Sequence, residues 1–384
     1  MKNKFNFKIV GSGPTGLLLS IALSKFNCNI FLTDLLPKNK LIEKDKTYAI
    51  THSTRKILSK FRLWEKLEPF LFGFDTLSIS DSVTSVSTTL TISDLDDDIS
   101  SDEHIGWVVK HSDLMNIFFQ EINNYKNIFF MSPQKLLGKK ISFDYQFFSC
   151  GANSLDKKLL DFVDIKKSYN QSCLTFKVSL RGNCEKRAYE IFRKEGPLAL
   201  LPLEKNLYQV IWTSSTLDSI KRLNSDKNFL MDNLSTILPE EFKLDQIIGE
   251  LNIFPVSLSL NLAVLNFKKL VFVGDAFHTF HPVGGQGLNS CWRDVNTIFD
   301  LFNENTSITK MNLTFFKFKY FSSRFLDIVF TIFITDSLIS IFANRNIFLF
   351  PIRRFSFLLL NKFLFIRKLV LNQMTKSLIY SRIK

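Results

Sequence analysis

The stretch FVGDAFHTFHPVGGQGLNSCWRDV, residues 272–295, concentrates side chains that could do chemistry. His278 and His281 stand three residues apart, with Asp275 and Cys291 on either side of them. All four are possible metal ligands, so one hypothesis is a metal site. Ligands on one helix favour a spacing of four, and the proline directly after the second histidine disfavours a helix there. We therefore expect no metal at these residues.

The same stretch also fits a loop built around a flat ligand. Residues 269–275, KLVFVGD, predict a strand that ends in Asp275, where α/β sheets bind their ligands. PVGGQGLN, residues 282–289, then predicts a turn and the start of a helix, whose N–H groups favour negative charge. Glycines let a ring approach the backbone. A flavin fits this description, because its reduced form is an anion across N1 and the C2 carbonyl.

The start of the chain predicts a βαβ unit. FNFKIV (5–10) predicts a strand, GSGPTG (11–16) a tight turn, LLLSIALSKF (17–26) a helix and CNIFLTD (28–34) a second strand. A GxGxxG motif is a weak signal alone, but here it has the structural context of a dinucleotide site.

Each residue type in that motif has a physical role. Gly11 permits the tight turn, Gly13 lets the backbone approach a pyrophosphate, and Gly16 lets helix and strand pack closely. Asp34, at the end of the second strand, can accept hydrogen bonds from a ribose diol. We therefore predict a dinucleotide at this turn, with its phosphates at the helix N-terminus.

Composition limits the class of protein. The chain has 384 residues, 46% of them hydrophobic and 22% charged, as in ordinary globular proteins. Its five cysteines are scattered, without a CxxC pair, which argues against disulfides and zinc ribbons and favours the reducing cytoplasm. The N-terminus enters a strand within a few positions, so we expect no signal peptide.

The positive charge lies mainly at the C-terminal end. The whole chain has a net charge of +13, and residues 310–384 carry thirteen Lys or Arg against two Asp, a net +11. Charged residues interrupt every apolar run there before it reaches the ~18 residues of a membrane span. Basic helices with apolar faces suit an anionic membrane surface or a partner protein. The other interpretation is a helical layer over the core with a solvated basic face. No nucleic-acid motif accompanies the charge, so we expect no nucleic acid.

The middle of the chain predicts mostly antiparallel strands. The strand-like segments are residues 76–93, 173–180, 188–194, 198–204 and 207–213. Residues 106–122 predict a strand that leads into an amphipathic helix.

The chain resembles the ubiquinone-biosynthesis hydroxylases, a branch of the FAD-dependent aromatic monooxygenases with the p-hydroxybenzoate hydroxylase fold. Three signatures match in order: GSGPTG at 11–16, CGANS at 150–154 and GDAFHTFHPVGGQGLNSCWRD at 274–294. Further segments resemble this branch: 45–64, YNQ at 169–171, GPLALLPL at 196–203 and VIWT at 210–213.

The resemblance implies FAD as the bound cofactor and NAD(P)H as co-substrate. It places the FAD pyrophosphate at Gly11, Gly13 and Gly16, the adenosine ribose at Asp34, and the ribityl chain or pyrophosphate at Asp275. The isoalloxazine ring would be flanked by Pro282, Gly285, Gln286, Gly287, Leu288 and Asn289. His278 and His281 would shape the loop. No side chain is identified as a general base, so the catalytic residues stay unknown.

Three positions depart from the family pattern or match it weakly. Cys150 stands where the family has an aspartate that contacts FAD and NAD(P)H, which leaves reductant binding open. Lys46 stands where the family often has arginine, and keeps the charge without the planar fork. His111 falls near a polar FAD contact of the family. An ordinary solvent-exposed histidine explains His111 equally well.

The fold expected is α/β (α+β overall), with a Rossmann-like FAD-binding domain, an inserted antiparallel-sheet substrate domain and a C-terminal helical region. The predicted boundaries are 1–72, 103–167 and 262–305 for the FAD-binding domain, 73–102 and 168–261 for the substrate domain, and 306–384 for the helical region.

The resemblance implies hydroxylation of a polyprenylated phenol by O2, in the cytoplasm or peripherally at the inner membrane, alone or in a ubiquinone-synthesis complex. The alternatives are a reductase or oxidase of the same fold, similar to geranylgeranyl reductases, and a non-catalytic flavoprotein subunit of that complex. The ring position, the choice of NADH or NADPH and the oligomeric state do not follow from the sequence.

Overall fold

The structure is a computed structural model that describes residues 4–96, 103–138, 140–151, 164–182, 186–262, 269–304, 312–344 and 346–377. These residues form three β-sheets and a set of helices, which turns and loops connect. The mixed α/β class expected from the sequence is therefore confirmed. The ANS residues 152–154 and the stretches 97–102 and 305–311 lie outside the described residues, and the domain boundaries remain predictions.

Five parallel strands form the first sheet. Their order across the sheet is Leu270–Phe272, Tyr145–Phe148, Phe5–Val10, Cys28–Thr33 and Ile128–Met131. The central strand buries Phe7 and Ile9 completely. Parallel strands are covered on both faces, which explains why these segments are short apolar runs. The two strands expected around the glycine motif and the strand before Asp275 are confirmed.

The helix after the glycine motif is Pro14–Leu23, not residues 17–26 as expected. It begins inside the motif because proline is well suited to the first helical turn, where an N–H has no partner in any case. Its residues from Thr15 onward are buried. The helix is therefore packed between the parallel sheet and its neighbours, with its N-terminus at the motif.

Eight strands form the second sheet. Their order is His278–Thr279, Lys243–Asn261, Asp164–Arg181, Leu207–Ser215, Leu198–Glu204, Arg187–Phe192, Thr76–Asp81 and Val86–Thr91. All neighbours are antiparallel except Thr76–Asp81 and Arg187–Phe192, which are parallel. The strand expected over residues 76–93 is a hairpin of two strands, because Ser85 turns the chain with a positive φ of 54°.

A third sheet of three antiparallel strands joins the other two. Its order is Thr47–Ile50, Gly106–Lys110 and Leu71–Phe74. The other α-helices described up to residue 304 are Lys38–Ile42, His52–Lys60, Trp64–Leu67, His111–Ile122, Pro133–Leu137, Thr216–Leu223, Lys227–Ser235 and Gln286–Glu304. The strand and helix expected within residues 106–122 are thus confirmed.

Three helices end the described chain and are called the roof helices below: Leu313–Phe342, Phe350–Lys362 and Leu364–Lys376. The first is long and apolar enough to cross a membrane by length and composition, with 33% of its most apolar 18 residues buried. Asp327, one of the charges expected to interrupt an apolar run, is completely buried, and so is Arg324 on the same helix. This helix is therefore fixed to the core.

Candidate functional site

The glycine turn is closed by backbone packing. Gly11 has a φ of +101°, and a Cβ there would lie 2.6 Å from the backbone of Cys150. A Cβ on Gly16 would lie 1.8 Å from the carbonyl oxygen of Gly11. The hydroxyl of Ser149 donates to that same oxygen at 2.9 Å. Gly11 and Gly16 are therefore required by the protein's own packing.

Gly13 is different, because it faces open space. A Cβ on Gly13 would meet no atom within 4 Å, although the residue directly precedes the helix Pro14–Leu23. Asp34 lies beside this turn and accepts from the backbone N–H of Ser12 at 2.7 Å and of Leu36 at 3.0 Å. Its carboxylate keeps further lone pairs for a diol. The turn at Gly13 is therefore open to solvent at the N-terminus of a helix, and such a position suits a phosphate.

The turn at Gly274 brings the late motif against the first one. Gly274 has a φ of +66°, and a Cβ there would lie 3.0 Å from the Thr15 side chain. The next residue, Asp275, is exposed between buried neighbours. The thiol of Cys291 donates to its carboxylate at 3.3 Å. Two motifs far apart in sequence therefore meet at the carboxyl ends of the parallel strands.

Lys46 and Tyr48 border Asp275. Desolvation lowers the pKa of Lys46, and the charge of Asp275 opposes this. The Lys46 ammonium also lies 4.5 Å from the centre of the Phe254 ring. Burial, followed by the charge of Asp275, raises the pKa of Tyr48 well above its usual range. Tyr48 is therefore a neutral hydroxyl beside the two charges.

His111 is 2% exposed, so the interpretation as a solvent-exposed histidine is wrong. Its Nε2 donates to the carbonyl of Leu41 at 2.7 Å, which leaves Nδ1 to accept from the Tyr48 hydroxyl at 2.9 Å. Burial lowers the pKa of His111 to about 4, so the ring is neutral at pH 7. Both nitrogens have protein partners, and the contribution of His111 is to position Tyr48.

The loop expected to flank the flavin has the required openness. Pro282 is exposed, and Gly284 and Gly285 have positive φ values of 71° and 63°. A Cβ on Gly285 would lie 3.2 Å from Ala49, and a Cβ on Gly287 would meet nothing within 4 Å. Gly287 also lies in the first turn of its helix, where N–H groups lack intrahelical partners. The loop can therefore approach a planar ligand closely.

Other residues of this loop hold it in place. Asn289 is fully buried and donates to the carbonyls of Ala49 and Gly285 at 2.9 and 2.8 Å. Gln286 donates to the carbonyl of Met374 at 2.9 Å, and the partly buried Leu288 packs against the core. Asn289 and Gln286 thus link the loop to the three-stranded sheet and to the roof helices.

The two histidines of this region point to different partners. His278 bonds to Asp294 at 2.9 Å, whereas the Nδ1 of His281 accepts from the backbone N–H of Val283 at 3.2 Å. Burial lowers the pKa of His281 to about 4. Within the described residues no group of three or more His, Cys, Asp or Glu could hold a metal ion.

A buried ionic network lies behind the loop. Asp294 accepts from the backbone N–H of Gly274 at 2.9 Å and from Arg324 at 2.6 Å. Arg324 also bonds to Asp327, which accepts from Arg293 at 3.0 Å. Burial alone would raise the pKa values of both aspartates, but the neighbouring cations lower them. The network joins the Gly274 turn to the helix Gln286–Glu304 and to the first roof helix.

A cavity of about 500 Å³ lies between the eight-stranded sheet, the loop 282–286 and the roof helices. Sheet residues such as Ile79 and Ile211 line one side, and roof residues such as Leu338 and Phe357 line the other. This volume is in the usual range for small-molecule sites, and most of the lining is apolar. The cavity therefore suits an apolar ligand whose one end reaches the loop.

Glu190 is the one carboxylate among the described residues that line this cavity. It lies on the strand Arg187–Phe192, opposite Ala199 and Ile79 on the neighbouring strands. The backbone N–H of Gly284 donates a hydrogen bond to it. Burial raises the pKa of Glu190 to about 7, although that hydrogen bond opposes the shift.

Sequence reasoning missed Glu190 and Tyr48. The strand alternates so that Ala188, Glu190 and Phe192 share the cavity face. A carboxylate between two apolar residues on one face of a strand could have indicated Glu190. That pattern becomes informative only when it is known that the roof helices cover this face of the sheet. Tyr48 carries no motif of its own, and its place in the site follows from its contact with His111 and from the nearby charge of Asp275.

Part of the chain matches a known protein family, and its fold matches that of a solved structure. Residues 166–304 match the protein family described as FAD binding domain. The p-nitrophenol 4-monooxygenase PnpA from Pseudomonas putida DLL-E4 has the same fold, with a TM-score of 0.77 at 15% identity over 99% of both chains. The chain therefore shares the fold of this monooxygenase, and part of it matches an FAD-binding family.

Two relatives narrow the class. The 3-demethoxyubiquinol 3-hydroxylase of Escherichia coli strain K12 is 30% identical over 154 residues, which cover 39% of this chain and 38% of that protein. The ubiquinone biosynthesis monooxygenase COQ6 of Dictyostelium discoideum is 20% identical over 96% of this chain and 90% of that protein. The chain is thus similar to FAD-dependent aromatic monooxygenases and, among them, to hydroxylases of ubiquinone biosynthesis, the resemblance that its sequence motifs indicated.

Proposed function

We propose that this chain hydroxylates the aromatic ring of a polyprenylated phenol in ubiquinone biosynthesis, with bound FAD, NAD(P)H and O2. One phenol, one O2, one NAD(P)H and one proton give the hydroxylated phenol, NAD(P)⁺ and one water. The observation that carries the proposal is the apolar cavity that ends at the loop 282–286. A phenol ring bound at that end lies beside the residues predicted to flank the flavin.

The described residues fit FAD. Gly13 and Gly287 both face open space, at two helix N-termini where a phosphate and an anionic ring are favoured. Asp34 beside the first turn and Asp275 after the Gly274 turn have carboxylate acceptors for ribose and ribityl hydroxyls. The bound flavin supplies the redox chemistry, while the protein orients the substrate and excludes water.

The cavity also suits a prenyl chain. Each methylene moved out of water contributes about 0.8 kcal/mol, so an isoprenoid tail favours apolar walls such as Leu338 and Phe357. Phe333 belongs to the cavity lining and is also well exposed on the outer surface. The roof helices thus offer apolar side chains on both their inner and outer faces.

The outer face of the roof helices supports a docking site for an anionic membrane surface. Phe348, in the short 3-10 helix Ile347–Leu349 between the first two roof helices, is 81% exposed, and Phe365 on the third roof helix is 67% exposed. The basic residues Arg354 and Lys362 are exposed on the second roof helix, which lies between these two phenylalanines in the chain. Apolar side chains beside basic ones are the pattern of helices that lie in a membrane interface. A lipid substrate could then pass from the bilayer to the cavity.

Hydroxylation is tested with isotopic oxygen. The FAD-loaded protein is given a short-chain 2-prenylphenol, NADH or NADPH, and ¹⁸O2. We expect a product with one ¹⁸O on the ring, because one atom of O2 is transferred. Mass spectrometry of the product and nicotinamide oxidation are measured together.

Three results would contradict hydroxylation. Label taken from H2¹⁸O instead of O2, saturation of a prenyl double bond, or flavin that no nicotinamide reduces each indicate a different protein function. Complementation of bacterial strains blocked at single ring-hydroxylation steps then identifies the ring position.

Membrane docking predicts a loss of vesicle binding for the double variant Phe348→Asp/Phe365→Asp. Each side chain buried in the interface contributes roughly 1.5–3 kcal/mol, so binding should fall at least about 10-fold. Cosedimentation with phosphatidylglycerol vesicles measures this. Leu137→Asp is the matched control, because Leu137 is 82% exposed outside the roof helices. Equal binding by the double variant and the wild type would exclude this surface as the docking site.

A further inference from the structure

Glu190 puts one ionisable group where a substrate ring would lie. The cavity wall around it is apolar, with Ile79, Ala199 and Phe192 as its neighbours on the sheet. Its carboxylate also reaches Gly284, in the loop predicted to flank the flavin. A group that touches both the cavity and this loop lies at the end of the cavity where chemistry would occur.

We propose that Glu190 is the base that accepts the phenolic proton of the substrate. The inference rests on the proposed hydroxylation and adds to it the residue that activates the ring. The O–H bond of the phenol breaks, its proton bonds to a carboxylate oxygen of Glu190, and the electron pair stays on the phenol oxygen. The resulting phenolate has a more electron-rich ring, which an electrophilic oxygen attacks more readily. Glu190 returns the proton to solvent before the next turnover.

The surroundings of Glu190 leave its carboxylate available. Titratable groups on the surrounding elements have other partners: Asp81 pairs with Arg353, Asp336 with Lys167 and Tyr169, Tyr189 with Glu241, Arg193 with Glu195, Arg367 with Asp94, and Lys376 with Asp96. Cys173 lies near enough for the charge of Glu190 to act on it, and its thiol is paired with the Thr213 hydroxyl. Desolvation therefore dominates at Glu190 and raises its pKa to about 7. A general base is most effective when its pKa lies near the working pH.

A purely structural role of Glu190 predicts a different result for its substitution. Glu190 could serve only to hold Gly284 through the backbone hydrogen bond. The amide oxygen of glutamine accepts the same hydrogen bond but does not take a proton. Glu190→Gln therefore keeps the tie to Gly284 and removes the base, so the two roles separate.

The first test is the pH profile of kcat/KM for hydroxylation. In the wild type it should rise with pH up to about 7, where Glu190 loses its proton, and then level off. In Glu190→Gln the inflection near pH 7 should disappear, and activity at neutral pH should fall about 10²–10³-fold. Activity of this variant should recover towards pH 10, where a phenol ionises unaided.

Two variants serve as controls. Glu190→Asp keeps a carboxylate and should keep the inflection, with a lower rate because the group is one methylene shorter. Glu204→Gln changes an exposed glutamate that pairs with Lys110 outside the cavity and should match the wild type. FAD content, measured by absorbance, should be the same in all of them.

The second test needs no turnover. Calorimetry compares the binding of a 2-prenylphenol with that of its O-methyl ether, which has no proton to donate. A hydrogen bond to a charged group should favour the phenol about 10-fold or more above pH 7, less at pH 5.5, and only a few-fold in Glu190→Gln.

Each combination of results decides between the proposals. An unchanged pH profile and an unchanged binding preference in Glu190→Gln overturn the role of Glu190 and leave hydroxylation intact. A pH-dependent preference for the phenol without labelled product overturns hydroxylation and leaves Glu190 as the phenol acceptor. Equal binding of both ligands by the wild type, or no binding of either, overturns the role of Glu190.

Discussion

Gly13→Val is expected to yield a folded protein that does not retain FAD. A Cβ on Gly13 meets no protein atom within 4 Å, and the residue has an extended φ of −73°, which valine adopts readily. The side chain would fill the space where the pyrophosphate approaches the helix N-terminus. We expect FAD affinity to fall at least about 100-fold, a loss of about 2.7 kcal/mol. Flavin absorbance of the purified protein and titration of the apoprotein with FAD measure this.

The melting temperature of the apoprotein separates a binding defect from a folding defect. It should be unchanged in Gly13→Val, whereas Gly16→Val should destabilise the fold, since its Cβ would lie 1.8 Å from Gly11. Gly138→Ala is the matched control, because its nearest contact would be 3.8 Å away on the surface. Full flavin content in Gly13→Val would show that the dinucleotide does not approach this turn.

Local patterns predicted the nucleotide-binding half of the fold well. The strands Phe5–Val10 and Cys28–Thr33 follow from short apolar runs, and the turn between them follows from its glycines. The helix start was wrong because the apolar run begins at Leu17, while the backbone becomes helical at Pro14. A proline within a glycine motif is compatible both with a turn and with the first residue of a helix. Tertiary packing determines which of the two conformations Pro14 adopts.

The remaining site residues depend on contacts between distant parts of the chain. Glu190 is 94 residues from Gly284 in sequence, and no local pattern relates them. His111 was assigned from a resemblance, and its burial under Leu41 was not visible in the sequence. Asp327 was treated as a charge that interrupts an apolar run, but it is a buried ion partner of Arg324.

The ionic network makes the loop and the roof helices mutually dependent. Asp294 holds the Gly274 turn, and Asp327 accepts from the hydroxyl of Ser377 at the end of the last roof helix. Arg324 bonds to both aspartates. The Gly274 turn and the roof helices are therefore held in position by one buried cation, Arg324.

Arg324→Met is expected to be the most destabilising of these substitutions. Methionine approximates the size of the side chain but leaves Asp294 and Asp327 with fewer cations inside the core. Removing one partner of a buried ion pair typically costs about 3–5 kcal/mol. The free energy of unfolding from urea titration at pH 7 should fall by this amount. FAD content should fall as well, because Asp294 holds the Gly274 turn.

The pH dependence of this loss identifies its electrostatic cause. In the wild type the pKa values of both aspartates are below their usual value of 3.8, so their contribution to stability is present above about pH 4 and is lost below it. In Arg324→Met their pKa values should rise, and protonation should then relieve the buried charge. The stability difference between variant and wild type should therefore shrink as the pH falls from 7 to 5. Arg181→Met removes a pair with Asp245 in which the arginine is 71% exposed, and should cost no more than about 1 kcal/mol. A pH-independent loss in Arg324→Met would show that packing, and not the buried aspartates, causes the instability.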